Sequence, residues 1–103
     1  MTKLDPRIHQ PTRLRIMMVL SGVESADFRF LRSALGLTEG NLSAHTMKLE
    51  QGKYLEISKT FEGKTPNTTY RLTQLGRERL AEYWRALDEI RGLVASDRPV
   101  ETE

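Results

Sequence analysis

The 103-residue sequence has no cysteine. That excludes a disulfide framework, a thiolate zinc site and a cysteine nucleophile, and it fits a reducing, cytoplasmic setting. Histidine is scarce as well. His9 and His45 fall short of the three or four protein ligands that zinc takes, so no metal is expected. No apolar run approaches the roughly 20 residues that span a bilayer, and the N-terminal stretch lacks the apolar core of a signal peptide. A membrane is therefore not an expected partner. Nor is there a glycine-rich phosphate loop. Gly63-Lys64-Thr65 resembles the end of one, but Ser58 stands where glycine is required and Pro66 follows where a helix should begin. Without a nucleophile–base pair or a placed pair of carboxylates, the sequence predicts no enzyme and no cofactor.

Net charge is also in short supply, at +2, but it is unevenly distributed. Residues 1–72 hold 11 Lys/Arg against 7 Asp/Glu, and residues 73–103 hold 5 against 7. A basic body followed by an acidic tail suits a protein that docks an anion with one part and keeps the other free.

Along the chain, Pro6 and Pro11 fence residues 1–10 into an arm. Thr12–Leu20 then runs without a breaker, and Leu14, Ile16, Met17, Val19 and Leu20 cover more than one face, the pattern of a well-buried helix. Glu24-Ser25-Ala26 can pair briefly as extended chain. Asp27 is placed to cap a second helix over Phe28–Leu35, with Gly36 stopping it. Thr38 caps a third, from Glu39 to about Gln51. The intervening Gly36-Leu37-Thr38 is the short, glycine-containing turn of a helix-turn-helix. After Gly52 the period changes to 2. Strands are predicted over Tyr54–Phe61 and Thr68–Leu72, with Glu62–Asn67 as a polar tip between them. Thr73 caps a long last helix. The fold expected is mainly α (α+β): a winged helix-turn-helix with a three-helix body, a two-stranded β-hairpin wing and a long C-terminal helix. It forms one domain over 1–103, made of an arm (1–10), helix-turn-helix and wing (12–73), C-terminal dimerisation helix (74–95) and frayed tail (96–103).

Three stretches can carry function. On the third helix, Thr46 and Leu49 lie within about 40° of Leu42, and the three form the buried face. Gly40, Ala44 and Met47 occupy the opposite face, flanked by Asn41, Ser43 and Lys48. Small residues allow close approach to a DNA groove, and the polar ones supply donors to bases and phosphates. Together with Thr38 at the cap, these seven are the candidate recognition residues. A solvated amphipathic helix looks the same in isolation; the short turn before it and the hairpin after it favour the nucleic-acid reading. His45 falls at the flank, as a partly packed histidine. The wing candidates are Lys59, Lys64, Thr65, Asn67, Thr68 and Arg71, which can hold the sugar-phosphate backbone. Arg13, Arg15 and Arg32 are further candidates for backbone contact. In the last helix, Leu80, Tyr83, Leu87, Ile90 and Val94 are spaced as a heptad seam, widened by Trp84. They are the candidate dimer interface.

Two blocks resemble the small winged-helix transcriptional regulators related to the MarR and ArsR groups. One runs from Phe28-Arg29-Phe30-Leu31 through Leu35-Gly36-Leu37-Thr38-Glu39-Gly40-Asn41-Leu42-Ser43-Ala44-His45. The other is Lys64-Thr65-Pro66-Asn67-Thr68-Thr69-Tyr70-Arg71-Leu72-Thr73 with Gly76-Arg77 behind it. The resemblance spans roughly residues 8–90. It implies a homodimer on operator DNA, with the Gly40–Lys48 helix in the major groove and the first and last helices joining the subunits. The sequence departs from the family at three places. Thr46 stands where a large aliphatic is common, which implies looser packing there. Met47 replaces a common basic residue. Gly52-Lys53-Tyr54 moves the usual turn glycine back by one, so that either Lys53 turns left-handed or the helix ends a residue early. Double-stranded DNA and a second copy are the expected partners, with a repressor role in transcription; a small-molecule effector is compatible with the sequence, which names none. The alternative is a winged-helix protein-interaction module with little or no DNA binding, for which Met47 and the small net charge speak.

Overall fold

The computed structural model describes residues 3–96, and side-chain surroundings through residue 93. The elements run α1 (Pro11–Ser21), β1 (Ala26–Asp27), α2 (Phe28–Leu35), α3 (Glu39–Gln51), β2 (Leu55–Glu62), β3 (Thr65–Leu72) and α4 (Gln74–Ser96). The sheet is antiparallel with the order β1-β3-β2. This is a winged helix-turn-helix with a long C-terminal helix.

One core joins all of these elements. Ile16, Met17 and Leu20 from α1 meet Leu31 of α2, Leu42 and Leu49 of α3, Leu55, Tyr70 and Leu72 of the sheet, and Leu80 and Tyr83 of α4. Each fully buried aliphatic contributes about 1.5–3 kcal/mol through removal from water. The residue 1–10 arm is corrected in part. Ile8 is completely buried and Leu4 packs against the core. A turn brings them there: the amides of Ile8 and His9 donate to the Asp5 carbonyl at 3.0 and 2.7 Å, and the Arg7 amide donates to Asp5 Oδ1 at 2.9 Å. The tail at 97–103 lies outside the described residues.

The hairpin differs from the expected six-residue tip. β2 and β3 pair from Leu55↔Leu72 to Glu62↔Thr65, leaving only Gly63-Lys64 as the turn. Gly63 has φ 65 at the first central position, which suits a two-residue type II′ turn. Pro66, expected within the tip, lies in β3. In this register Phe61↔Pro66 is a non-hydrogen-bonded pair, and β1 reaches β3 only at Thr69 and Tyr70, so the missing N–H of Pro66 leaves no partner unpaired. The predicted brief pairing before α2 exists, shifted to Ala26–Asp27.

Helix ends follow their local chemistry. Asp27 accepts from the Phe30 amide at 2.8 Å, and Thr38 Oγ1 from the Asn41 amide at 3.1 Å. Gly36, with φ 64, closes α2 by hydrogen bonds of Leu37 N–H to Arg32 O and Gly36 N–H to Ser33 O, a Schellman motif. α3 ends in the same motif. Tyr54 N–H donates to Leu49 O at 3.0 Å and Lys53 N–H to Glu50 O at 2.8 Å, and Lys53 itself is left-handed with φ 67. The displaced glycine, Gly52, is in the right-handed region. A Cβ there would meet Arg7 Cδ at 2.4 Å, so the glycine gives passage to the arginine. The first of the two alternatives for Lys53 is therefore the one adopted.

α4 is stitched to the start of β2 through one residue. The Thr73 hydroxyl donates to Lys53 O at 2.7 Å and accepts from the Gly76 amide at 2.9 Å, while the Thr73 amide donates to Tyr54 O at 3.0 Å. A Cβ on Gly76 would lie 2.3 Å from that Tyr54 carbonyl oxygen.

Two substitutions have opposite expected signs. Lys53→Gly removes the left-handed strain at C′ and should stabilise by about 0.5–1 kcal/mol, read as a rise of a few degrees in melting temperature. Gly76→Ala would stabilise an ordinary helix position, but here the methyl meets fixed backbone. Denaturant titration should show a loss of about 1–3 kcal/mol.

Candidate nucleic-acid interface

The orientation of α3 is set by its buried side. Leu42, Thr46 and Leu49 are the helix's buried residues, the face expected from their spacing. Thr46 is 1 % exposed. Its hydroxyl donates to the Leu42 carbonyl at 2.8 Å, one turn back, so a polar residue in an apolar position leaves no group unsatisfied. Burial of this face turns Gly40, Asn41, Ser43, Ala44, Met47 and Lys48 to solvent. Thr38 stands apart from this set in role: its oxygen is engaged in capping α3.

Between α3 and the wing lies an open cleft of about 850 Å³. Ser43 and Met47 line one side, Lys59, Pro66 and Thr68 the other, and Phe28 and Arg29 one end. The pleat divides the wing candidates. Lys59 and Thr68 are cross-strand partners on the same face as Ile57 and Tyr70, which turns toward α3. Arg71 alternates to the opposite face and forms an ion pair with Glu56 beside Glu24. It is therefore ion-paired on a different face of the wing from Lys59. Lys64 sits in the turn, next to Thr65, while Asn67 is half-buried at the cleft's edge.

Several arginines that could have met phosphates serve the protein's own backbone. Arg15 Nη2 donates to Leu35 O at 2.9 Å. Arg13 Nε donates to Arg7 O at 2.6 Å and its Nη1 lies 3.2 Å from His45 Nδ1. Arg7 reaches over Gly52 to the carbonyl of Lys48 at the last turn of α3. Arg32 remains exposed. The positioning roles of Arg7 and Asp5 were barely signalled in the sequence, because they depend on the arm folding back. Gly52, out of place in the turn, was the one hint.

His45 is half-buried, and its pKa is held below the ordinary 6.5 by burial first, then by the charges of Arg13 and Lys48. A guanidinium can only donate, so His45 Nδ1 must accept from Arg13, which requires a neutral ring with its proton on Nε2. At the other end of the arm, the Tyr54 hydroxyl donates to the Asp5 carboxylate. Burial, with help from that bond, pushes the phenol up to about 12.

The heptad residues of α4 divide between the domain's interior and its surface. Leu80 and Tyr83 are buried within the domain itself, Tyr83 with its hydroxyl 2.8 Å from His9 Nδ1, so they are removed from the exposed stripe. Leu87 packs partly on the core. Trp84 is 38 % exposed, Ile90 is half-buried, and Leu93 is 62 % exposed. The side chain of Val94 lies outside the described residues. Among the described residues no cluster of His, Cys, Asp or Glu could hold a metal, and no helix is long and apolar enough to cross a membrane.

A family model described as a winged helix DNA-binding domain matches residues 12–91. The chain belongs to that family. Protein MJ0432 of Methanocaldococcus jannaschii is 34% identical over 71 residues, covering 69% of this chain and 77% of that protein. The structure of a transcriptional regulator homologue from Pyrococcus horikoshii superposes with a TM-score of 0.78 at 31% identity, over 84% of this chain and 87% of that one. NadR in complex with 4-hydroxyphenylacetate shares the fold, with a TM-score of 0.67 at 18% identity over 93% and 70% of the two chains. The chain thus carries the winged-helix DNA-binding fold, with α3 as the second helix of the helix-turn-helix and the β2–β3 hairpin following it.

Protonating His45 sets a positive charge against Arg13 and Lys48. Because its folded pKa lies below its unfolded value, the stability it contributes is complete above pH 6.5 and falls as the pH drops through and below that value. Denaturation midpoints over this range should decline in the native protein. The decline should be smaller in His45→Gln, whose side chain does not titrate.

Proposed function

We propose that the protein is a homodimeric transcriptional repressor that reads a palindromic operator, with α3 in the major groove of each half-site and the wing beside it. The observation that carries the proposal is the exposed face of α3: small or short polar side chains at Gly40, Asn41, Ser43 and Ala44. Such a face permits the backbone to approach base edges, while Lys48 and Lys64 supply charge for phosphates. Pairing through α4 rests on the apolar surface of Trp84, Ile90 and Leu93, which continues beyond the part of the helix that packs on its own body. Two-fold pairing would give two recognition helices the symmetry of a palindromic site.

A second reading has its own support. The cleft carries the carboxylates of Asp27, Glu39, Glu50 and Glu62 against only Arg29 and Lys59, and Met47, 53 % exposed, lies within it. Those features suit a basic, apolar protein segment. The two readings separate in one titration. Selection of duplexes from a random pool, followed by anisotropy at several salt concentrations, should give log-linear loss of affinity with salt. Lys48→Ala and Lys64→Ala should each lower the slope by about 1, and Asn41→Ala should relax base preference at one position of each half-site. Absence of salt-sensitive binding to any duplex, with a protein partner co-purifying in stoichiometric amount, would establish the second reading instead.

A further inference from the structure

The wing ends in an apolar pair that the core does not explain. Along the face turned to α3, the cross-strand rungs are Leu55–Leu72 and Ile57–Tyr70, then Lys59–Thr68, then Phe61–Pro66. The first two belong to or pack on the core. The third is polar. The fourth is apolar again, and Phe61 is 72 % exposed. It stands about 13 Å beyond Ile57, at roughly 3.3 Å per residue. Most of its surface is therefore left in water. In a non-hydrogen-bonded antiparallel pair the Cβ atoms approach to about 4.5–5.5 Å, so Phe61 and Pro66 form one continuous ridge. Pro66 also lines the cleft beside α3, which makes the ridge continuous with the recognition surface.

Electrostatics alone would hold this tip weakly. Lys59 and Lys64 are exposed, but Glu62 lies between them in the chain. Cations on both sides of an aromatic suit a surface that meets phosphates on its flanks and bases at its centre. The carboxylate calls for a contribution other than charge, which stacking supplies.

We propose that Phe61, backed by Pro66, is a base-stacking wedge that enters the minor groove next to the segment read by α3 and unstacks one base step. This rests on the DNA-binding reading above and deepens it. A wedge reads deformability rather than hydrogen-bond pattern, so it selects a pyrimidine–purine step, TA or CA/TG, where stacking is weakest. It gives the regulator a preference at a position that α3 does not touch. It also makes the wing a bending element.

The test uses the full chain and a duplex of roughly 30 base pairs that the native protein has selected from a random pool, with 2-aminopurine placed in turn at its pyrimidine–purine steps. Saturation with native protein should brighten the probe at one step in each half-site. Phe61→Ala should abolish the brightening and weaken binding about tenfold, as stacking energies of this class imply, without changing the salt slope. Phe61→Trp should retain both the brightening and the affinity. Because the side chain is exposed, thermal unfolding of Phe61→Ala should match the native protein. Equal affinity and equal brightening in Phe61→Ala would overturn the wedge while leaving the DNA-binding reading intact. A lowered salt slope in Phe61→Ala would also overturn it, by assigning the loss to phosphate contact. No duplex bound by the native protein would overturn both.

Discussion

The rotation of α3 about its own axis is the constraint on which the rest depends. Three side chains fix it, Leu42, Thr46 and Leu49, all withdrawn from water. A turn of one residue, 100° about the axis, would expose two leucines at about 1.5–3 kcal/mol each and press Ser43 and Met47 into the core. What faces outward is thus decided by what must face inward. The helix is held lengthwise as well, with Thr38 satisfying its first turn and a Schellman motif closing its last. Precision at a recognition surface begins with a rigid element that has only one way to sit.

The N-terminal segment ties that element to the far end of the domain. Arg7 holds the last-turn carbonyl of Lys48, Arg13 holds His45, Asp5 holds Tyr54, and His9 meets Tyr83 of α4. Four residues thus bridge the C-terminal end of α3 and the base of the long helix. Thr73 and Gly76 make the second bridge, at the carbonyls of Lys53 and Tyr54. Displacement of α4 would act on α3 through both connections, in contacts too close-packed to absorb it. Gly52 and Gly76 serve proximity rather than turning: each gives up a side chain so that Arg7 or a carbonyl can approach.

Much of this was legible in the sequence, because periodicity and caps are local signals. The bounds of α2 and α3, the caps at Asp27 and Thr38, the left-handed Gly36 and the buried trio of α3 all follow from residue spacing. What escaped depended on distant partners. The arm could not be seen to fold back, since nothing near Ile8 announces its burial. Thr65, Pro66 and Asn67 look like turn formers, and the free edge that lets Pro66 sit in β3 is created by the shortness of β1. Alternation would have separated Arg71 from Lys59, had the register been known; composition alone grouped them. In α4 the heptad spacing identified an apolar stripe correctly, but a stripe does not say what covers it, and Leu80 and Tyr83 are covered by the domain itself.

The most direct test of the account is a map of the surface that meets DNA. Backbone and side-chain NMR shifts should be followed while the pool-selected duplex is titrated into labelled protein. The account predicts changes concentrated at Asn41, Ser43, Ala44 and Lys48 and at the wing from Lys59 to Thr68, with Leu93 and its neighbours in α4 unmoved. Changes centred on α4, with the exposed face of α3 silent, would contradict it.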